Sequence, residues 1–254
     1  LRINHFVLPE GRPVRGADGR IVDFDFSECE LLAGMALERG FSYVYGGFVA
    51  HWTHWDDAAL HVLWDADVDV TGAEGYRELS LYFRKLWALV QAHGWQERWM
   101  QCLVDEPQLQ SASSYRILAG ICRRHMPGVR IHDPVESTEL GGALDIWCVK
   151  QALYERLCPG FRALQDMGEE MWVYTCGFPA GKTMNRSTDL PLAATRLPFW
   201  LCVKYGFTGF LHWGYNAYAG RDPFRFNCYY RVPKSLPPGD GFIVYPGPDG
   251  TVWN

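Results

Sequence analysis

The ten residues RWMQCLVDEP, residues 98–107, indicate the fold more clearly than any other part of the sequence. An apolar run typical of a buried strand ends there in two acidic residues, Asp105 and Glu106. Because acidic side chains are disfavoured within strands, the pattern places both at the carboxyl end of this strand. Pro107 disfavours the right-handed helical conformation at Glu106, so we expect the pair to lie on an extended strand end.

Apolar or aromatic runs of the same kind alternate with helical patterns along the whole chain. The other predicted strands cover residues 2–9, 41–48, 129–135, 144–150, 169–179 and 207–218. The predicted helices cover residues 27–40, 76–94, 111–128, 158–168 and 191–206, the last with a proline inside it. Apolar residues recur in these segments at helical spacing, and each segment ends at a glycine.

The alternation indicates the α/β class, with a parallel sheet covered on both faces. A doubly wound sheet and a (β/α)8 barrel both fit it. No glycine-rich phosphate-binding motif follows a strand, which weakens the nucleotide-binding forms of the first. Polar, acidic and aromatic residues follow several strands, as they do at the active sites of barrels. We therefore predict a single (β/α)8 TIM barrel over residues 1–254, incomplete at one or both ends because seven strands are recognised rather than eight.

Composition excludes several classes of function. The 254 residues include 24 Lys and Arg against 29 Asp and Glu, and the formal net charge of −5 argues against nucleic acid as a partner. No apolar run is long enough to span a membrane. Aromatic residues make up 15% of the chain, which suits a large core and also a sugar-binding surface. The eight cysteines form no C-x-x-C pair and are interpreted as reduced core thiols, which favours the cytoplasm without excluding export.

The acidic pair has two interpretations from the residues alone. Strands often end in solvated acidic residues that cap the next helix, and a short motif such as DEP is common by chance. If the carboxylates of Asp105 and Glu106 converge instead, their repulsion raises one pKa, and an acid beside a carboxylate can cleave a glycosidic bond. Convergence requires a break in the pleat, since neighbours on a regular strand face opposite ways. Such a close pair suits a route in which the 2-acetamido group of the sugar is the nucleophile.

The second half of the chain carries the motifs MWVYTCGFP (residues 171–179), GFLHWGYN (209–216), DPF (222–224) and GDGFIVYPG (239–247). With these motifs the sequence resembles the catalytic domain of glycoside hydrolase family 123, which includes β-N-acetylgalactosaminidases. The resemblance extends from about residue 23 to residue 254 and is densest between residues 172 and 250.

The resemblance implies a (β/α)8 barrel with an Asp–Glu pair after its fourth strand, which the match VDEP places at Asp105 and Glu106. It implies that Asp105 orients the acetamido group and stabilises the oxazolinium, that Glu106 is the general acid/base, and that no cofactor takes part. Members of the family also carry an upstream β-sandwich and a further helix that completes the barrel. We expect both to be absent from this chain, which would make it a fragment of the family's protein.

Six further residues near strand ends are candidates for substrate binding. Each could instead pack in the core, and His132 with Asp133 could equally cap the segment that follows. They are His132, Trp147, Tyr174, Trp213, Tyr215 and Asn216. His51 and His54 have the spacing of two metal ligands, but no third ligand is indicated, so a substrate-binding lid or a surface loop is the favoured interpretation and no metal site is predicted.

The sequence therefore predicts an exo-acting glycosidase that removes terminal β-linked N-acetylhexosamine, with N-acetylgalactosamine as the expected sugar, by substrate-assisted retaining catalysis. An oligosaccharide or glycoconjugate is the expected partner. Two alternatives stay open at this point. One is a barrel that binds carbohydrate without cleaving it, and the other is a glycosidase of different specificity with a conventional nucleophile.

Overall fold

The computed structural model of the chain describes residues 3–177, 184–218, 220–226, 230–231 and 234–253. Parts of three predictions lie outside these residues: the start of the first strand at Arg2, the end of the strand predicted over residues 169–179, and Cys228. The chain divides between Trp147 and Cys148 into two compact units.

The first unit contains four complete strands of the main sheet. They are β1 (His5–Val7), β2 (Tyr43–Gly46), β3 (Trp99–Gln101) and β4 (Arg130–Val135). Hydrogen bonds join them in the order β1-β2-β3-β4, and each neighbouring pair is parallel. Strand β5 (Ile146–Lys150) follows β4 in this order and crosses the boundary between the units.

Three helices belong to the first unit: α1 (Ser27–Glu38), α2 (Ala73–Ala92) and α3 (Ala112–His125). The sequence predicted all three to within a few residues. Helix α2 shows why, because its buried side chains Leu79, Phe83, Leu86 and Val90 recur at helical spacing and form one face. The sequence analysis missed two short hairpins, which pair Arg12–Arg15 with Ile21–Asp25 and Ala50–His51 with His61–Val62.

An aromatic cluster forms much of the core of the first unit. The ring of Tyr82 on α2 stacks on Trp64 at 5.3 Å between centroids. It meets Phe24 and Phe26 edge-on, each at 5.0 Å. Its hydroxyl oxygen accepts a hydrogen bond from the backbone N–H of Gly11 at 3.2 Å, so this buried polar atom is paired. Part of the high aromatic content therefore serves core packing.

The second unit continues the same alternation. Strands β6 (Glu170–Thr175) and β7 (Gly209–His212) are parallel, and the order within this unit is β5-β6-β7. Helix α4 (Gln151–Asp166) precedes β6, and helix α5 (Leu197–Tyr205) precedes β7. Two further short hairpins pair Tyr230–Arg231 with Lys234–Ser235 and Tyr245–Pro246 with Val252–Trp253.

Two helix boundaries in this unit differ from the sequence prediction. Residues 191–206 do not form one helix with an internal proline: a 3-10 turn (Ala194–Arg196) is followed by α5, so Pro198 lies in the first helical turn, where no backbone N–H is needed. Helix α4 begins seven residues earlier than predicted and contains Pro159 in its interior.

The main sheet has seven strands among the described residues, as the sequence predicted. Their parallel pairing and the helices between most of them are those of a (β/α) barrel. The described residues contribute no eighth strand to this sheet. Of the seven cysteines that the structure describes, Cys29, Cys102, Cys122 and Cys148 are buried, as expected of core thiols, and the other three are partly exposed. No described helix is long and apolar enough to cross a membrane.

Candidate active site

The acidic pair follows β3 after a short extended segment. Strand pairing stops at Gln101, so the predicted strand over residues 98–107 is correct only for its first part. Beyond it, the backbone N–H groups of Leu103 and Val104 bind the side chain of Asp133 instead of a neighbouring strand. Beyond this segment, Asp105 is exposed and Glu106 is partly buried. Both carboxylates therefore lie at the carboxyl end of a barrel strand, where catalytic residues of this fold are found.

Glu106 corrects the expectation of an extended strand end. Its φ is +47°, in the left-handed region that residues with a side chain rarely adopt. Pro107 does keep it out of the right-handed helical region, but the backbone turns rather than continuing straight. This is the break in the pleat that two adjacent carboxylates need in order to face one site. Such a backbone conformation costs of order 1–3 kcal/mol and persists only where the surroundings impose it.

A buried carboxylate, Asp133, supports the segment that carries the pair. Its two oxygens accept hydrogen bonds from the backbone N–H of Leu103 at 2.9 and 3.0 Å, and its Oδ2 lies 3.4 Å from the N–H of Val104. The hydroxyl of Tyr115, on α3, donates to Oδ2 at 2.6 Å. Asp133 is completely buried. The sequence analysis placed His132 and Asp133 at a strand end, but β4 continues to Val135 and holds both in its interior.

The electrostatics of Asp133 reflect opposing effects. Burial raises the pKa of Asp133 well above its usual value, while the hydrogen bonds from Tyr115, Leu103 and Val104 lower it. The negative charge of Asp105 adds to the upward effect, so the two carboxyl groups interact. Burial also raises the pKa of Tyr115 well above the usual value, so this hydroxyl remains a donor. The three donors that surround this carboxyl group, the N–H groups of Leu103 and Val104 and the hydroxyl of Tyr115, each stabilise its ionised form against the cost of burial.

Contacts from the solvent side fix the backbone of the pair itself. The indole N–H of Trp52 donates to the carbonyl oxygen of Asp105 at 3.0 Å, and Nε2 of Gln108 donates to that of Glu106 at 2.7 Å. Trp52 also meets Trp55 edge-on at 4.7 Å, and Trp55 is 44% exposed. The aromatic loop after β2 therefore contacts the acidic pair directly, which is consistent with the predicted substrate-binding role.

The other two candidates of the first unit lie in the core. His132 is completely buried; its Nδ1 is 3.9 Å from Sγ of Cys102, and its ring lies 5.6 Å from that of Tyr45. Trp147 on β5 is also completely buried. Neither residue offers surface to solvent, so substrate contacts by His132 and Trp147 stay predictions.

The remaining candidates lie in the second unit. Tyr174 is buried on β6, and the Lys150 ammonium lies 5.9 Å from the centre of its ring. Trp213 and Tyr215 follow β7 and are 41% and 43% exposed, so both offer ring surface to solvent. Asn216 is exposed and forms an isolated bridge with Phe242. The carboxyl end of β7 therefore displays two aromatic rings, while Tyr174 packs inside.

Two residues that the sequence analysis did not select organise this end of β7. The indole N–H of Trp213 donates to Oδ2 of Asp240 at 2.9 Å, and Asp240 is almost fully buried. Nε2 of His212 lies 2.6 Å from the carbonyl oxygen of Asp240, and its Nδ1 lies 3.3 Å from that of Thr175. Burial and the charge of Arg186 lower the pKa of His212 to about 3 despite these two carbonyl contacts. The sequence could have drawn attention to Asp240, because it is the only acidic residue of the motif GDGFIVYPG.

The low pKa of His212 predicts a pH-dependent stability. Between about pH 6.5 and pH 3 the unfolded chain binds a proton at this ring that the folded chain does not, so the free energy of unfolding falls as the pH falls. Denaturant unfolding at pH 7, 6, 5 and 4 measures this, and His212→Gln should show a smaller loss over the same range. The matched control is His54→Gln at an exposed ring, which should follow the wild type. Identical acid dependence in wild type and His212→Gln would contradict the prediction.

Metal ligands do not cluster in the described part of the chain: no group of three or more His, Cys, Asp or Glu side chains there could hold an ion. His51 and His61 approach within 6.2 Å between ring centres, and His54 pairs with Asp57 instead.

A comparison with protein families matches most of the chain. The family model for the glycoside hydrolase 123 catalytic domain matches residues 14–254. The chain belongs to glycoside hydrolase family 123. The match confirms the resemblance seen in the sequence. A search of curated proteins finds no match.

Solved structures agree on the fold. A family 123 glycoside hydrolase from Clostridium perfringens, studied for glycolipid glycan hydrolysis, superposes with a TM-score of 0.68 at 13% identity, over 98% of this chain and 47% of its own. The exo-β-1,4-mannosidase Op5Man5 from Opitutaceae bacterium strain TAV5 gives 0.56 at 13% identity, over 85% and 47% of the two chains. The chain thus spans about half the length of these structures, and at this identity the likeness shows the fold alone.

Proposed function

We propose that this family 123 chain is the catalytic part of an exo-acting β-N-acetylhexosaminidase, with β-linked N-acetylgalactosamine as the terminal sugar of an oligosaccharide or glycoconjugate. The observation that carries the proposal is the pair of adjacent carboxylates, Asp105 and Glu106, at a left-handed turn. Hydrogen bonds from this segment to the side chains of Asp133 and Trp52 hold its backbone in place. Where two adjacent carboxylates converge on one site, they lie closer together than the roughly 5 Å between acid and nucleophile in ordinary retaining glycosidases, so attack by a group of the sugar itself suits them better.

In the first step, the oxygen of the 2-acetamido group attacks the anomeric carbon while the glycosidic C–O bond breaks. Glu106 donates its proton to the leaving oxygen, and the carboxylate of Asp105 binds the acetamido N–H and stabilises the positive oxazolinium. In the second step, Glu106 takes a proton from water, which attacks the anomeric carbon and reopens the oxazoline ring. Two inversions retain the configuration of the sugar.

The proposal is tested by release of 4-nitrophenol from the β-N-acetylgalactosaminide, the β-N-acetylglucosaminide and the plain β-galactoside, with the full-length protein. We expect the first to be the best substrate and the galactoside to be inert, because it lacks the internal nucleophile. A thiazoline analogue of the oxazoline should inhibit, and proton NMR should show the β-anomer forming first. Cleavage of the galactoside would contradict substrate assistance and favour a conventional nucleophile. Binding of the sugars without cleavage of any would indicate a barrel that only binds carbohydrate.

A further inference from the structure

The loop that follows the strand Ala50–His51 holds an exposed indole beside the acidic pair. This loop, residues 52–60, carries Trp52 and Trp55. Trp52 is partly buried, and its indole N–H donates to the carbonyl oxygen of Asp105 at 3.0 Å. The ring of Trp52 also meets that of Trp55 edge-on, with 4.7 Å between the two centroids. One indole ring therefore separates Trp55 from the backbone of a candidate catalytic residue.

Hydrogen bonds join this loop to the segments on both sides of the acidic pair. Just before the loop, the backbone N–H groups of Val49 and Ala50 donate to the carbonyl oxygen of Leu103 at 3.0 and 3.1 Å. Near the end of the loop, the hydroxyl of Ser114 on α3 donates to the carbonyl oxygen of Ala58 at 2.9 Å. Because these contacts reach the chain before and after the pair, they hold the loop in place relative to the two carboxylates.

A closed turn presents Trp55 to solvent. The backbone N–H of His54 donates to Oδ2 of Asp57 at 2.6 Å, and the N–H of Asp57 donates to the carbonyl oxygen of His54 at 3.0 Å. Trp55 is 44% exposed, whereas the other six tryptophans of the first unit are buried or partly buried. Its neighbours in the sequence, His54 and Asp56, are exposed polar residues. Such a ring can cover the apolar C–H face of a sugar while polar side chains bind the hydroxyl groups.

The position of the ring limits which sugar it can contact. The terminal sugar must lie against both carboxylates, because one protonates its leaving oxygen and the other binds its acetamido group. Trp55 does not contact the pair directly but lies beyond Trp52. The sugar on the other side of the glycosidic oxygen lies one ring further from the carboxylates, so it can reach Trp55 while the terminal sugar stays at the pair. The negative charge of Asp105 nearby favours a neutral sugar over an acidic one.

We infer that Trp55 stacks on the sugar from which the terminal N-acetylgalactosamine is released, and that this second sugar is a neutral pyranose. This role rests on the proposed function for the identity of the terminal sugar and for its position at the acidic pair. It adds a preference on the leaving side of the bond, which Asp105 and Glu106 do not provide.

Kinetics on two substrates test this role in the full-length protein. One substrate is N-acetylgalactosamine β-linked to galactose, and the other is the methyl β-glycoside of N-acetylgalactosamine, which has no ring on the leaving side. Trp55→Ala should raise KM for the disaccharide about tenfold, as expected when the apolar contact of one ring is lost, and should leave KM for the methyl glycoside unchanged. Trp55→Phe keeps an aromatic face and should restore most of the affinity.

Three controls separate this effect from others. Free N-acetylgalactosamine occupies only the terminal position, so its inhibition constant should be the same in wild type and Trp55→Ala. The midpoint of thermal unfolding should not fall in Trp55→Ala, because much of the ring is exposed. Trp200→Ala, at an indole on α5 that is 75% exposed, is the matched variant and should behave as the wild type does on both substrates.

Three results would overturn the inference. An unchanged KM for the disaccharide in Trp55→Ala would show that the ring contacts no sugar on the leaving side. An equal rise in KM for both substrates, with weaker inhibition by N-acetylgalactosamine, would place Trp55 at the terminal sugar instead. A marked fall in the unfolding midpoint, with equal losses of activity on both substrates, would show a structural role.

Failure of the proposed function gives a different pattern. If the wild type cleaves no N-acetylhexosaminide, titration calorimetry with β-linked disaccharides of glucose, galactose and mannose still tests the ring. Binding of one of these that weakens in Trp55→Ala, while binding of its monosaccharide does not, would contradict the function and support the role of Trp55. Cleavage of the N-acetylgalactosamine disaccharide with equal KM in both proteins would do the reverse. A wild type that neither cleaves nor binds any of these sugars would contradict both.

Discussion

Replacing Glu106 by glutamine is expected to lower kcat on an unactivated β-N-acetylgalactosaminide by about 10²- to 10⁴-fold, the usual contribution of a positioned general acid. This corresponds to a loss of about 3–5 kcal/mol of transition-state stabilisation. Glutamine keeps the size and the hydrogen-bonding capacity of the side chain but has no proton to give to the leaving oxygen. Steady-state kinetics on a disaccharide measure the effect.

Leaving groups distinguish this role from a general loss of structure. The deficit of Glu106→Gln should shrink on the 4-nitrophenyl glycoside, because 4-nitrophenolate leaves without protonation. Asp105→Asn should slow both substrates, since stabilisation of the oxazolinium does not depend on the leaving group. Glu139→Gln, at an exposed glutamate, is the matched control and should retain activity. A Glu106→Gln protein with full activity on the disaccharide would remove Glu106 from the mechanism.

Replacing Asp133 by asparagine is expected to lower kcat by about a hundredfold with a small change in KM, because displacements near 1 Å at catalytic groups have effects of this size. The carboxylate of Asp133 accepts from the N–H groups of Leu103 and Val104. An amide would turn an NH2 group toward one of these donors, and the segment that carries Asp105 and Glu106 would shift. Tyr115→Phe removes only one hydrogen bond to Asp133 and should produce a smaller loss in the same direction.

Asp145 provides the matched control for Asp133. Its Oδ2 also accepts a backbone N–H, that of Ile131 at 2.8 Å, but on the amino-terminal part of β4. Asp145→Asn should lower the unfolding midpoint without lowering kcat. A crystal structure of Asp133→Asn should show the Glu106 backbone displaced from its left-handed conformation. If kcat falls only in proportion to the folded fraction in both variants, Asp133 is structural and does not position the pair.

The local pattern of the chain predicted most of the regular elements. Helix α2 was recognisable because its buried residues recur at helical spacing, and strand β4 because its apolar residues are nearly continuous. Both patterns can be read from a short segment of sequence. The short hairpins were missed because pairs of two to five residues carry too little periodicity. The early end of β3 was missed because the N–H groups that follow it bind the side chain of Asp133, which is distant along the chain.

The same distinction applies to the candidate site. The motif VDEP identified Asp105 and Glu106, since adjacent acidic residues before a proline are a local signal. The roles of Asp133 and Trp52 could not be predicted, because one depends on hydrogen bonds across strands and the other on a hydrogen bond from the loop after β2. Neither property is visible in the neighbouring sequence.

The sequence by itself determined the α/β class, the seven strands of the main sheet, family membership and the position of the acidic pair. These features follow from side-chain periodicity and from motifs of a few residues, and both can be read from short segments of the sequence. Only the tertiary structure decided that Glu106 turns into the left-handed region, that Asp133 supports the segment carrying the pair and that Trp52 binds the backbone of Asp105. Burial and hydrogen bonding between distant segments set these features, and such contacts exist only once the chain has folded.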